Sequence, residues 1–386
     1  MNLSRPYQEQ NFSEWMDQFR WIAALIVAIS HIGGPLLVAL SAMPAEQRPV
    51  PQYFYSFIAG FAHQSVIIFF VLSGYFVGGA LCFEANKREP EALSYFSKRL
   101  SRLWVVLIPT LVISYILYKI GYSLAPIVYD TRKDNAVDFN TFSCNIFFMQ
   151  NVFCTRFASN DSLWSLFNEF WYYVSFFFIV LGMVSKSLIK KITMFAIAIC
   201  FLVFFSLFQF SNAPLIPYMF IWLSGVYIAW AGKPKYLTSP YMAGGLLITY
   251  LVLTRVILGT SNMHGTSLIS FVADFGLTLL FVKLLINMKF SNYLPRPILG
   301  KTNIFLASFS YTLYCIHLPL ALFYSAVTYY LWGLGHEMIA DTFIEWLVVF
   351  GCIVIVIISS YLLSLVTEKH TNTIRKFVYS RISRKV

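Results

Sequence analysis

The stretch MDQFRWIAALIVAISHIGGPLLVALSA, residues Met16–Ala42, decides the fold. Between Trp21 and Ile29 every residue is apolar. A helix rises 1.5 Å per residue, so about 20 such residues cross the ~30 Å hydrocarbon core of a bilayer. The run is long enough to span. It is too long for the apolar region of a cleavable signal, and the residues before it are close to neutral. Leu40-Ser41-Ala42 resembles a cleavage site only loosely.

Nine more stretches of this kind follow: Phe61–Phe83, Leu103–Gly121, Leu163–Ser185, Ile192–Phe210, Pro214–Trp230, Tyr241–Gly259, Thr266–Met288, Phe305–Leu331 and Thr342–Val366. Pro44–Gly60 reads as a loop with a half-turn before the second span. Composition agrees. Of 386 residues, 58% are apolar and only 12% are charged, where a soluble domain carries about 25% charged. The mean hydropathy is +0.68. A soluble enzyme and a disordered chain are excluded, and no heptad or Gly-X-Y period supports a fibrous one. The expected fold class is all-α, a polytopic transmembrane bundle of ten spans. With no repeat and no linker, residues 1–386 are expected to form a single domain.

The net charge of +11 would suggest nucleic acid in a soluble protein. Here the basic residues sit in short loops and report topology instead, so no nucleic acid is expected as a partner and membrane lipids are. With the N-terminus in the cytoplasm, inner loops and tails hold 20 Lys and Arg, and outer loops hold four: Arg48, Arg132, Lys133 and Arg156. This positive-inside bias places both termini inside, with a cytoplasmic tail over residues 368–386. The long loop of residues 122–162 lies outside. Cys144 and Cys154 share it, ten residues apart, and can pair if that face is oxidising. No Cys/His cluster has the spacing of a metal site.

Polar groups within spans are costly, so each is a candidate for function. Arg20 and His31 are eleven residues apart, which puts them about 20° apart on one helical face and about 16 Å apart along it. Gly33, Gly34 and Pro35 follow, where the helix is expected to kink or open. A buried histidine bonded to a carbonyl, with a snorkelling arginine, is the plainer reading. In the second span Gly74 and Gly78 form a GxxxG pair suited to close helix approach. Ser73 beside them donates either to a substrate or to a neighbouring carbonyl. Arg99 and Arg102 share a face, as phosphate binders or as membrane anchors. Glu169 lies about 9 Å below the outer end of the fourth span, and Asp274 in the eighth about 12 Å below that face. His317 lies near the middle of the ninth. Arg255 is expected to neutralise Asp274. Cations thus gather inside and titratable groups deeper, a layout that suits group transfer across the bilayer or a proton-coupled transporter.

In order, these motifs resemble the acyltransferase 3 family of integral membrane acyltransferases. The resemblance rests on Arg20 and His31, Phe69-Phe70-Val71-Leu72-Ser73-Gly74, Arg99 with Arg102, Phe147-Phe148-Met149-Gln150-Asn151, Trp164-Ser165-Leu166 with Glu169, and Ser310-Tyr311-Thr312-Leu313-Tyr314-Cys315-Ile316-His317. Trp21 stands where the family often has Gly. The chain looks like the stand-alone type, without an appended SGNH hydrolase-like domain. The resemblance implies O-acyl transfer, most often of acetyl from acetyl-CoA, to a glycan or lipid-linked glycan at a multi-pass site in the bacterial inner membrane. Acyl-CoA would be a donor substrate, with no permanently bound cofactor. His31 would act as general base or form an acyl intermediate. Glu169 would support it, and Ser73 would donate to the oxyanion. Arg20, Arg99 and Arg102 would hold the donor's phosphates, while Trp164, Asn151 and His317 would meet the acceptor. The alternative is a secondary transporter or flippase for a glycan or lipid, against which stands the absence of paired broken helices in matching halves.

Overall fold

The computed structural model describes residues 5–130, 132, 136–210, 214–258 and 268–376. Lys133, the expected span ends at Gly259 and Thr266, and the tail beyond residue 376 lie outside the described residues. The chain is 80% helical, with no strand among the described residues. In order the helices are α1 (Arg5–Leu36), α2 (Val50–Ala59), α3 (Ala62–Ser73), α4 (Gly79–Ala85), α5 (Ala92–Leu124), α6 (Ile127–Asp130), α7 (Phe139–Ile146) and α8 (Trp164–Val184). Then come α9 (Leu188–Phe208), α10 (Leu215–Trp230), α11 (Pro240–Leu258), α12 (Leu268–Phe290), α13 (Lys301–Ala307), α14 (Ser310–Trp332) and α15 (Phe343–Val366). Among the described residues, nine helical segments are long and apolar enough to cross a membrane, and α10 is a shorter apolar helix. The protein is an all-α multi-pass membrane bundle.

Two departures from the expected spans are informative. Residues Val50–Ala59 form a ten-residue helix rather than a loop, with proline in its first turn. Proline there loses only an N–H that would have no helical partner anyway, so it starts a helix as readily as it marks a turn. The first helix does not open at Gly33, Gly34 and Pro35 but stays helical to Leu36. A Cβ on Gly33 would come within 2.7 Å of the Tyr55 ring. The glycine therefore makes room for α2, whose Tyr55 hydroxyl donates to the Ile29 carbonyl.

The helices group into two compact units. One comprises the described residues of Met1–Ala23, His63–Tyr95 and Ser165–Ala307. Its core is aromatic, with Trp222, Tyr172, Tyr218, Phe167 and Phe281 all buried. A π-helical turn, Gly74–Gly78, joins α3 to α4. A Cβ on Gly74 would strike the Trp222 carbonyl, and one on Gly225 would strike the Val71 carbonyl. The GxxxG pair thus admits α10 to backbone contact, with a third glycine answering from the other helix. The start of α1 is tied to the chain before α13: Trp15 Nε1 donates to the Pro295 carbonyl at 2.8 Å, and Glu14 takes both arms of Arg296 at 2.6 and 2.7 Å.

The other unit comprises the described residues of Ala24–Ala62, Phe96–Trp164 and Ser308–Val386. Helices α14 and α15 pack together in it. Cys144 and Cys154 are joined by a disulfide, with Cα atoms 6.4 Å apart. Gln52 of α2 ties two strands of backbone: its amide donates to the Val38 carbonyl at 2.8 Å and accepts from the Ala340 N–H at 3.0 Å.

Candidate functional site

His31 on α1 and His317 on α14 meet inside the second unit. His31 Nδ1 lies 2.7 Å from His317 Nε2, across 286 residues of sequence. The rings lie edge to edge, 10° from parallel with centroids 5.0 Å apart. His317 is fully buried, and its Nδ1 lies 3.0 Å from the Leu313 carbonyl one turn earlier. A carbonyl only accepts, so His317 Nδ1 carries the hydrogen. In the neutral ring Nε2 is then the acceptor, and His31 Nδ1–H must be the donor to it. That order puts the basic lone pair of His31 on Nε2.

The helix under His317 is held by the preceding loop. Pro319 has no N–H to give the Cys315 carbonyl. Asn160 supplies one: its Nδ2 donates there at 2.8 Å. Ser162 Oγ donates to Asn160 Oδ1 at 2.5 Å, and the Tyr314 hydroxyl donates to the Ser162 carbonyl at 2.8 Å. Asn145, Gln150, Asn151, Asn160 and Ser162 are all fully buried. Asn151 donates to the Trp164 carbonyl at 3.1 Å and accepts from Arg156 at 3.1 Å. Asn151 thus spends both ends of its amide inside the loop. Phe148, Asn151, Ala158 and Ser159 take φ of 56°, 75°, 53° and 59°. Each such residue costs on the order of 1 kcal/mol, and only dense surroundings keep it there. At the head of α7 the hydroxyl and N–H of Thr141 donate to Asp138, which holds its carboxyl below the usual carboxylate range.

Ser73 and Glu169 meet in the first unit. Ser73 Oγ donates to Glu169 Oε1 at 2.6 Å, and the Tyr173 hydroxyl donates to the same oxygen. Trp222 Nε1 donates to Ser73 Oγ at 3.2 Å. Ser73 Oγ also lies 3.0 Å from the Tyr173 hydroxyl. Sequence reasoning missed Tyr173 and Trp222. Tyr173 was readable, because it follows Glu169 by four residues and so shares its face. Trp222 left no such mark.

Asp274, also in this unit, is buried and meets His63 rather than Arg255. His63 Nε2 lies 2.9 Å from both carboxylate oxygens, and the Tyr218 hydroxyl donates to Oδ2 at 3.3 Å. Arg255 is not among its partners. His63 is the second residue of α3 and reaches α12.

The three arginines are placed differently. Arg20 pairs with Asp17 at 3.1 Å and donates to the Ala307 carbonyl at 3.3 Å, within the first unit. Arg99 and Arg102 line a cavity in the second unit, together with Lys98 and four residues after α15. Among the described residues, no group of three or more His, Cys, Asp or Glu could hold a metal ion.

The acyltransferase 3 family model, described as an acyltransferase domain, matches residues 13–365. No curated protein and no solved structure matches the chain.

Proposed function

The chain belongs to the acyltransferase 3 family, and from that premise we propose that it moves an acetyl group from acetyl-CoA to a hydroxyl of a cell-surface or secreted glycan, or of its lipid-linked precursor, in the bacterial inner membrane. The observation that carries this reading is the ordered pair of histidines. A sugar hydroxyl has a pKa far above 7 and needs a base within hydrogen-bond reach to become a nucleophile. His31 Nε2 carries the basic lone pair of the ring, and imidazole is the side chain most often used for that task. It takes the hydroxyl proton as the oxygen attacks the thioester carbonyl. The C–O bond forms, the C–S bond breaks, and the CoA thiolate leaves and recovers the proton from His31.

His317 acts in this scheme as a positioning residue. Its Nε2 accepts the Nδ1–H of His31 and stabilises the imidazolium that forms, much as a carboxylate does in a hydrolase triad. The Leu313 carbonyl fixes the tautomer. Arg99 and Arg102 bind phosphates of the donor, with Arg20 a third candidate for that task. Trp164 and the loop of residues 122–162 receive the acceptor. Glu169 keeps Ser73 and Tyr173 in one hydrogen-bonded group.

The test is the ester content of surface glycans in cells making wild type or His31→Ala at matched membrane levels. The wild type is expected to add one acyl mass increment per modified sugar, and the variant none. Equal acylation by both would remove His31 from the chemistry.

A further inference from the structure

The cavity lined by Arg99 and Arg102 has a second wall that the proposed function does not use. Its volume is about 310 Å³, and its lining is Lys98, Arg99, Arg102, Glu368, Thr371, Asn372 and Arg375. The first three come from α5 and the last four from the chain after α15. The family match ends at residue 365, so this second wall lies wholly beyond the matched region.

Three features distinguish the cavity from a row of membrane anchors. First, its lining is mainly cationic. Lys98, Arg99, Arg102 and Arg375 give four positive charges against one from Glu368, a net of 4 − 1 = +3. Second, one oxygen of the carboxylate is held by the protein. Glu368 Oε2 accepts from the Thr312 hydroxyl at 2.9 Å and from the Thr312 N–H at 3.3 Å. Third, Asn372 adds an amide, which a lipid anchor does not need and a nucleoside can use, while the Thr371 hydroxyl donates to the Glu368 carbonyl at 2.7 Å. The volume is at the lower end of small-molecule pockets, about 300–1,000 Å³, which exceeds the needs of a bare ion.

We infer that this cavity seats the phosphorylated nucleoside end of coenzyme A, with Arg375 of the C-terminal segment closing on a phosphate monoester opposite Arg99 and Arg102. The inference rests on the acyl-CoA reading of the function. A phosphate monoester carries about −1.5 to −2 charges at neutral pH and three strong acceptor oxygens, the best match for several guanidinium forks. Coenzyme A bears one such monoester, on its ribose. The C-terminal segment is then a part of the donor site and not only a topogenic tail.

The experiment compares binding of CoA and of 3′-dephospho-CoA to the purified full chain, in wild type, Arg375→Ala and Arg375→Lys. Wild type is expected to prefer CoA by roughly tenfold or more, the worth of one hydrogen-bonded charge pair. Arg375→Ala is expected to lose that preference while binding 3′-dephospho-CoA as before, and Arg375→Lys to keep part of it. Equal binding of the two ligands by wild type, or an unchanged ratio in Arg375→Ala, overturns the assignment and leaves the acyl-CoA reading standing. No binding of either ligand by folded wild type defeats both. Phosphatidylglycerol that co-purifies with wild type, is lost from Arg375→Ala and is not displaced by CoA assigns the cavity to a lipid headgroup and overturns the inference.

Discussion

The His31–His317 pair and the Ser73–Glu169 group are both polar constellations inside apolar helices, yet they are held by opposite means. The histidines depend on polar supports. One helix carbonyl sets the tautomer of His317, and the Asn160 amide serves the carbonyl beside Pro319. Ser73 depends on the absence of side chains. Gly74 and Gly225 let two backbones touch, and that contact brings the Trp222 indole to the serine. The first device fixes where protons sit. The second fixes where oxygen atoms sit, around one carboxylate oxygen of Glu169. The proposed general base, His31, belongs to the first kind.

The largest effect should come from His31→Ala in purified enzyme. General-base loss costs about 10²–10⁴-fold in rate, and CoA affinity should stay near wild type. Glu169→Gln keeps the size of the group and should cost less. If it costs as much as His31→Ala, the division of labour between the two constellations is broken.

Next in size is a change in packing. Gly225→Leu would drive a side chain into the Val71 carbonyl, an overpacking of about 3 kcal/mol. Thermal unfolding in detergent should register it as a clear drop in midpoint. Gly78→Ala meets only the side chains of Val226 and Trp222, and about 1 kcal/mol should suffice for the adjustment. Equal losses at both glycines would mean that backbone approach is not what holds the group.

A smaller loss is expected from Asn160→Ala, which removes the donor to Cys315. About 1–2 kcal/mol follows from one buried hydrogen bond. If the loop positions His317, the pH–rate profile should shift along with stability. Loss of stability with an unchanged profile would confine Asn160 to packing.

The smallest effect belongs to Asp138, the cap of α7. Its carboxyl is held low by the Thr141 donors. A lowered value stabilises above the unfolded-state range and is lost as pH falls through the folded-state one. Protection of α7 amides relative to their intrinsic exchange should therefore stay high at neutral pH and fall only in acid. Asp138→Ala should abolish that acid step.

Much of this was legible in the chain. Hydropathy marked the spans because a bilayer demands long apolar runs whatever the tertiary contacts. The GxxxG pair announced a close neighbour but could not name α10, since the answering Gly225 has no motif of its own. His31 was marked by being polar in the wrong place. Its partner was hidden, because no local rule joins positions 286 residues apart. The guess that Arg255 serves Asp274 failed on similar grounds. Charge alone favoured the arginine, but which residue arrives is decided by helix rotation, and His63 on α3 faces the carboxylate. Helix α2 was missed because the polar residues between Pro44 and Gly60 read as a loop.

The bond between Cys144 and Cys154 turns the long loop into a reporter of its own compartment. An impermeant reductant added to intact cells will open it only if the loop faces the medium, and two fresh thiols then become available for a mass tag. Cys82, Cys200, Cys315 and Cys352 are unbridged and set the background count. A single gel shift of two tags would give the sidedness of the whole bundle without a fusion protein or an added label site.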